Sequence, residues 1–458
     1  MNTAIIILAA GLGTRMRSGT PKVLNSLLGR PLLQYVIDAS KKCGVKRIIT
    51  VTNPGHPEVI DLIKANRIEH TVQKRPLGTA DAVKEALRYM DGFRGGLMIV
   101  NGDTPLISPR MLKRLITRHA KAKCDLSLIS FNAKDPFSYG RIVRDEQGSP
   151  IGIVEEKDLK GGLKKIKEVN SGVYIIGSKA AKLISRIKKN SGKGEYYLTD
   201  LVSLSSRAGL DVKVFNIGSE EEFFGINSMA ELAKAQRLVQ DEIISSFMKK
   251  GVMFHDPSSV MVHGDVKIGA GSVIYPGVYI EGSSVIGKDS IIYPGVRIVD
   301  SKVGNGTSVL DNSLIEGSVI GEGSSIGPSA RLRPGSETGK RVKIGNYVEM
   351  KSSKIADGSK ASHLSYIGDA IIGKNVNIGA GTITCNYDGR KKHRTVIEDD
   401  VFIGSDTQLI APVKIGKGAF IAAGSTITRD VPRKALAISR SRQKEMRNWK
   451  IKSRKGNK

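Results

Sequence analysis

Apolar residues recur every six positions through much of the second half of the chain. Ile268, Ile274, Ile280, Ile286, Ile292 and Ile298 begin the series, which slips slightly through Val303, Val309, Ile315, Ile320, Ile326 and Leu332. It returns at Ile397, Ile403, Leu409, Ile415, Ile421 and Ile427. A helix repeats its buried face about every 3.6 residues and a strand every two, so neither explains this spacing. A hexapeptide β-helix does: six residues make one short face, the apolar residue points to the axis and a small residue turns the corner. Three faces close a coil of about 18 residues, so the run from Ile268 to Ile427 spells about nine coils stacked roughly 4.8 Å apart. Glycine, at 51 of 458 residues, is about 11% against an ordinary value of roughly 7%, as such corners require. Two segments break the period, 351–366 and 387–395, and are expected to be loops extruded from the coils, where repeat proteins gather function.

The first half has a different rhythm. Short apolar runs at 4–8, 47–52, 96–101 and 126–131 alternate with helical spacing at 32–43, 57–66, 79–90 and 109–120, predicting an α/β domain with a mostly parallel sheet. Ligands of such sheets bind at the carboxyl ends of strands, where the glycines after Ala10 and the pair Gly102-Asp103 fall. Residues 228–249 contain no Gly or Pro and read as one helix joining two domains, stopped by Gly251.

Composition narrows the function classes. The longest apolar run near the start is too short to span a bilayer and lacks the flanks of a signal peptide, which predicts a cytoplasmic protein with no membrane span. Three scattered cysteines, Cys43, Cys124 and Cys385, make neither a disulfide framework nor a CxxC metal site. The net charge is +28, and the tail 433–458 supplies 11 basic residues against one acidic. Without a nucleic-acid module or interleaved aromatics, that charge points to phosphorylated small molecules, and no nucleic-acid partner is expected.

The segment Leu8-Ala9-Ala10-Gly11-Leu12-Gly13-Thr14-Arg15-Met16, with Pro21-Lys22 after it, follows a strand. Its glycines let backbone N–H groups close on a phosphate, while Arg15 and Lys22 bring positive charge. The spacing fits neither the Rossmann GxGxxG nor the Walker motif, and points to a nucleoside triphosphate site. Asp103 ends a buried strand beside this loop and is a natural Mg²⁺ ligand, since Mg²⁺ takes one or two carboxylates and shares the rest with phosphate and water. In the second half Arg331, Arg333, Lys351, His363, Tyr366, Asn377, Asn386 and Tyr387 form a polar cluster that a β-helix has no structural need for. The other histidines read as surface or packing residues.

The segments LAAGLGTRM, PLGTADA, NGDTPLI, YGRI, GIVEEKD, EVNSGV, GEYYLTD, ARLRPG, GNYVEMK, KASHLSYIGDA, NIGAGTITCNYDG, VFIGSDTQLIAPV and ALAISR occur in order from about residue 4 to 440. Together they resemble the bifunctional bacterial N-acetylglucosamine-1-phosphate uridyltransferase/glucosamine-1-phosphate N-acetyltransferase family. The resemblance implies a Rossmann-like nucleotidyltransferase domain over 1–227, a linker helix over 228–250, and a left-handed parallel β-helix with acetyltransferase activity and a basic tail over 251–458. It implies acetyl transfer from acetyl-CoA to glucosamine 1-phosphate, then coupling of N-acetylglucosamine 1-phosphate to UTP with Mg²⁺. A homotrimer with acetyl sites between neighbouring β-helices is implied too.

Carried to this sequence, Leu8, Ala9, Ala10, Gly11, Gln73, Gly78 and Thr79 would hold the uridine nucleotide, and Arg15 and Lys22 the triphosphate. Asp103 and Asn227 would hold Mg²⁺, while Gly140, Glu155 and Asn170 would hold the sugar. Arg333, Lys351, Tyr366 and Asn377 would bind the acetyl acceptor and His363 would be the base. Ala380, Asn386, Tyr387, Ser405, Ala423 and Arg440 would line the CoA. One nucleotide-site position departs from the pattern: Asn101 stands where the family commonly carries Tyr. Two other readings compete, a nucleotidyltransferase whose β-helix is only a scaffold and a nucleic-acid-binding solenoid; acetyl-CoA turnover and salt-dependent retention on DNA separate them.

Overall fold

In the computed structural model, which describes residues 2–90, 92–190 and 194–449, the β-branched run Ile5, Ile6 and Ile7 forms the middle of strand Thr3–Leu8. The last nine residues of the basic tail, 450–458, lie outside the described residues. Thr3–Leu8 belongs to a nine-stranded sheet whose main path runs Val212–Asn216, Leu126–Asn132, Glu168–Ile176, Gly96–Asn101, Thr3–Leu8, Arg47–Thr52, Glu69–Val72. Pairings are parallel along this path except at Glu168–Ile176, antiparallel to both neighbours. The period of two sets the layers. Ala4 and Ile6 face helices Thr79–Tyr89, Ser178–Leu183 and Asp200–Arg207, whereas Ile5 and Ile7 face Leu32–Lys42, Pro57–Ala65 and Pro109–Ala122. The crossovers leave Leu8, Thr52 and Asn101 at one sheet edge, where the loops diverge.

The chain divides into the units Met1–Gln240 and Asp241–Lys458, with the helix Met229–Met248 crossing the division. The helix starts at a capping box: Glu231 donates its backbone N–H to Ser228 Oγ at 3.2 Å, and its carboxylate accepts from Asn227 N at 2.7 Å. At its far end Ile244 and Phe247 enter the core of the second unit. No helix among the described residues is long and apolar enough to cross a membrane.

The second unit is the left-handed β-helix expected from the period of six. Its short strands stack into three parallel sheets of 11, 10 and 9 strands, and the Ile, Val and Leu of the repeat are buried along the axis. One coil carries about three such side chains, too few to order itself, so stability comes from stacking on the next. Stacking runs from Met253 to Ala437, beyond the periodic residues at both ends.

One expectation is overturned. Residues 351–366 are not an extruded loop: Glu349–Lys351, Lys354–Ile355, Lys360–His363 and Tyr366–Gly368 are successive faces, and Met350 pairs directly with Ile367. That coil has 17 residues where Val273 to Ile291 has 18, because a corner is one residue shorter, and the shortened corner mimics an interruption. The insertion at 387–395 is real, since Ala370 pairs with Thr395, a coil of 25 residues.

Candidate active sites

The Gly-rich loop leaves the sheet between two strands: Ala9 N donates to Val51 O at 2.9 Å, and Leu8 O accepts from Gly102 N at 2.9 Å. Gly13 has φ of +63°, and a Cβ there would strike the Cβ of Lys22, so this glycine lets Lys22 fold under the loop. Lys22 forms an ion pair with Asp103 and donates to Asn227 Oδ1 at 2.7 Å; Arg15 donates to the same oxygen at 2.6 Å. Three distant stretches thus meet at one point, with the Lys22 side chain only 11% exposed. Leu8, Ala9, Ala10, Gly11, Lys22, Gln73, Gly78, Thr79, Asn101, Asp103 and Asn227 all line one cleft of about 500 Å³.

Gln73 is buried and uses Nε2 within the protein, donating to Asp81 Oδ2 at 2.8 Å and Gly78 O at 3.1 Å. Among the described residues its Oε1 accepts no hydrogen bond. Gly78 has φ of +106° and no room for a Cβ, which would lie 2.5 Å from Tyr196 O. Thr79 Oγ1 accepts from Leu198 N at 3.0 Å.

Two hollows continue the cleft, of about 600 and 240 Å³, and both are lined by Arg15, Asn101, Glu155, Asn170 and Gly172. Gly140 borders the smaller one, and its carbonyl accepts from Asn170 N at 2.9 Å. Asn170 Nδ2 donates to Tyr174 OH at 2.7 Å, while its Oδ1 accepts from Gly172 N at 3.0 Å. Glu155 accepts from Thr199 Oγ1 at 3.0 Å; burial pushes its carboxyl above the ordinary range despite that bond. Asn101 sits where the hollows meet, its amide in the space a side chain on Gly172 would need.

Sequence reasoning missed Tyr197, Thr199 and Glu231. Tyr197 lines the cleft and the larger of the two hollows and is held by Lys157, whose Nζ donates to its hydroxyl at 2.9 Å. The only signal for it was its place in GEYYLTD. Among the described residues no group of three or more His, Cys, Asp or Glu could hold a metal ion. Asp103 with the amide oxygen of Asn227 is a hard-oxygen pair of the kind Mg²⁺ accepts when phosphates and water complete its shell.

On the β-helix one corner carries Asn346, His363, Ala380, Ser405, Ala423 and Arg440 on successive coils. Asn346 pairs with His363; Gly381 N donates to Leu364 O at 3.0 Å, Asp406 N to Ala380 O at 2.7 Å and Gly424 N to Ser405 O at 2.8 Å. Arg440 Nη1 closes the series on Ala423 O at 2.7 Å. At roughly 4.8 Å per coil, His363 and Arg440 are about 19 Å apart along the corner. His363 is exposed and makes no hydrogen bond through its ring among the described residues.

The next corner gathers Arg333, Lys351, Asp369 and Asn386. Arg333 N donates to Met350 O at 2.8 Å, Asp369 N to Lys351 O at 3.1 Å and Asn386 Nδ2 to Asp369 Oδ2 at 2.5 Å. Tyr366 lies on the face between the corners, and its hydroxyl and the Asn386 amide converge over Gly368, where a Cβ would come within 2.6 and 2.8 Å of them. Asn377 is not brought to this face; its strand, Asn377–Ile378, belongs to the neighbouring sheet with Lys360 and Phe402.

The insertion adds a residue that sequence reasoning missed. Tyr387 pairs with Lys392, and Asp388 ties the loop by accepting from Arg390 N and Lys391 N, each at 2.7 Å, and from His393 Nε2 at 2.6 Å. Those donors hold the Asp388 carboxyl well below its usual range. Lys392 stands beside Lys351 and pushes it below the ordinary lysine range, with Arg333 adding to the effect. Arg333, Lys351 and Lys392 therefore concentrate positive charge, with Arg333 also paired to Glu349 at 3.0 Å.

The MobA-like NTP transferase domain family matches residues 5–172, the GMPPB C-terminal domain family residues 257–343, and the bacterial transferase hexapeptide family, six repeats, residues 394–429. The bifunctional protein GlmU of Thermodesulfovibrio yellowstonii is 48% identical over 98% of this chain and 99% of its own length. Those of Geotalea uraniireducens and Clostridioides difficile are each 43% identical, over 99% and 98% of this chain and 100% and 97% of their own lengths. A solved UDP-glucose pyrophosphorylase complexed with UDP-glucose overlays 53% of the chain at 18% identity and a TM-score of 0.44, too loose a likeness to bear on the site. At this identity over nearly the full length of both partners, the chain belongs to the bifunctional GlmU family.

Proposed function

We propose that the chain acetylates glucosamine 1-phosphate with acetyl-CoA and couples the resulting N-acetylglucosamine 1-phosphate to UTP, giving UDP-N-acetylglucosamine and pyrophosphate. The convergence of Arg15, Lys22, Asp103 and Asn227 beneath a Gly-rich loop carries this reading. In domain terms, 1–227 performs uridylyl transfer, 228–250 is the linker and 251–458 performs acetyl transfer.

In uridylyl transfer a phosphate oxygen of the sugar phosphate attacks the α-phosphorus of UTP, and the bond to the β-phosphate oxygen breaks to release pyrophosphate. No covalent nucleophile is needed; positioning and fixed positive charge do the work. Arg15 and Lys22 hold the triphosphate, and the free Oε1 of Gln73 with Gly78 and Thr79 reads the uracil edge. Gly140, Glu155 and Asn170 orient the sugar. Asp103 and Asn227 would hold Mg²⁺, which when bound neutralises phosphate charge.

In acetyl transfer the sugar amine attacks the thioester carbonyl, the C–S bond breaks, and CoA leaves as a thiol. His363 takes the amine proton, the Ala380 N–H steadies the oxyanion, and Arg333, Lys351 and Tyr366 hold the sugar phosphate. Ala380, Ser405, Ala423 and Arg440 give the CoA arm a lane along one corner, with Asn386 and Tyr387 beside it. The residues along it are mostly small, and glycine at 379 lets the next coil stack closely, since a Cβ there would lie 2.5 Å from Ser405 N. Asn377 stands on another face from Lys351 in one chain, which supports a homotrimer in which a second copy completes each site. We assign the enzyme to the cytoplasm.

Mass-resolved product analysis with glucosamine 1-phosphate, acetyl-CoA, UTP and Mg²⁺ tests both steps. UDP-N-acetylglucosamine is expected; UDP-sugar formed only from preacetylated substrate would reduce the β-helix to a scaffold.

A further inference from the structure

Helix Pro109–Ala122 turns Met111, Leu112, Leu115 and His119 inward and a cationic face outward. Arg110, Lys113, Arg114, Arg118 and Lys121 follow one another at helical spacing, all exposed, Lys123 comes just after, and the helix contains no Asp or Glu. Helix Leu32–Lys42 packs beside it and ends in Lys41 and Lys42, with Lys46 exposed beyond. Arg114 is tied to Ile217 O at 3.3 Å and Arg118 lies over the Phe215 ring. Arg110, Lys113, Lys121, Lys123, Lys42 and Lys46 make no ion pair among the described residues. Clustered like charges repel, and a polyanion offsets that repulsion.

We propose that this face docks the protein on an anionic lipid bilayer. The cations are spread over two adjacent helices and the turn after one of them, which suits an array of headgroup phosphates. The helix packs against strands Leu126–Asn132, Glu168–Ile176 and Val212–Asn216, and no aromatic stands on its outer face to stack a base. Beside it a hollow of about 520 Å³ is lined by Asn2, Thr3, Cys43, Gly44, Val45, Lys46 and Ile116, a mixed polar and apolar surface that includes one cation. Thr3 opens strand Thr3–Leu8, so the hollow lies at the opposite sheet edge from Leu8 and contact there leaves the nucleotide cleft open.

The test sediments the full-length protein with vesicles of equal parts phosphatidylglycerol and phosphatidylcholine, and with phosphatidylcholine alone, at about 0.1 M salt. Binding is expected only to the anionic vesicles. The variant Arg110→Glu/Lys113→Glu/Lys121→Glu, with uridylyl transfer intact, should bind at least about tenfold more weakly, and the chain truncated after Trp449 should still bind. Wild-type binding by the triple variant, complete loss on truncation, or uptake of duplex DNA without vesicle binding would each overturn the proposal.

Discussion

Lys22 pairs with Asp103 across 81 residues of sequence, and the same ammonium donates to Asn227, so one cation organises both oxygen ligands expected of a Mg²⁺ site. The three residues come from the turn Lys22–Leu24 that follows the Gly-rich loop, a strand end and the approach to the helix Met229–Met248. None of them lies on the β-helix.

Asp103→Asn should therefore lower uridylyl transfer by at least about 100-fold, about 2.7 kcal/mol, and leave acetyl transfer near wild type. Separate assays of the two half-reactions check it; equal loss of both would contradict two independent sites.

The complement is His363→Ala. Loss of a general base should slow acetyl transfer by about 100- to 10,000-fold and spare uridylyl transfer. Near wild-type acetylation would assign the proton to another acceptor.

The hexapeptide period made the β-helix legible because each coil must bury the same position, and the strand-helix alternation did the same for the first half. Glu168–Ile176 was not legible as an antiparallel strand, since direction follows from the connection and not from the residues. The misreading of 351–366 has a related cause: a corner shortened by one residue and a true insertion both break a period, and only pairing distinguishes them. Lys392 and Tyr197 join their sites through loop paths that no spacing encodes.

Glu155 makes stability depend on pH. Burial raises its folded pKa above the unfolded value, so the folded state holds the proton longer and its contribution to stability falls as pH rises through that interval. Glu155→Gln removes the titration while keeping the shape. Its stability relative to wild type should rise as pH increases from the ordinary glutamate range upward, read from urea midpoints. An unchanged gap would mean the carboxyl is not desolvated.

Gly368→Ala places a methyl group where the Tyr366 hydroxyl and Asn386 amide converge. Both must move, so acetyl transfer should fall by about tenfold or more, through KM for the sugar phosphate, while uridylyl transfer is unchanged. A crystal structure of the variant with Tyr366 and Asn386 undisplaced, or unchanged kinetics, would remove Tyr366 from the site.

The corner that joins His363 to Arg440 gives the last prediction. Arg440 is fixed to the Ala423 carbonyl at the end of the small-residue lane, which leaves its charge at one defined place. Basic residues farther along the tail are expected to offer only diffuse attraction that salt screens. Arg440→Ala should raise KM for acetyl-CoA about tenfold, about 1.4 kcal/mol, whereas truncation after Trp449 should leave it nearly unchanged at physiological salt. Acetyl-transfer kinetics of both variants across a salt series decide the matter. A larger KM increase from the truncation would mean that the CoA phosphates are held by the tail as a whole, and that the lane ends before Arg440.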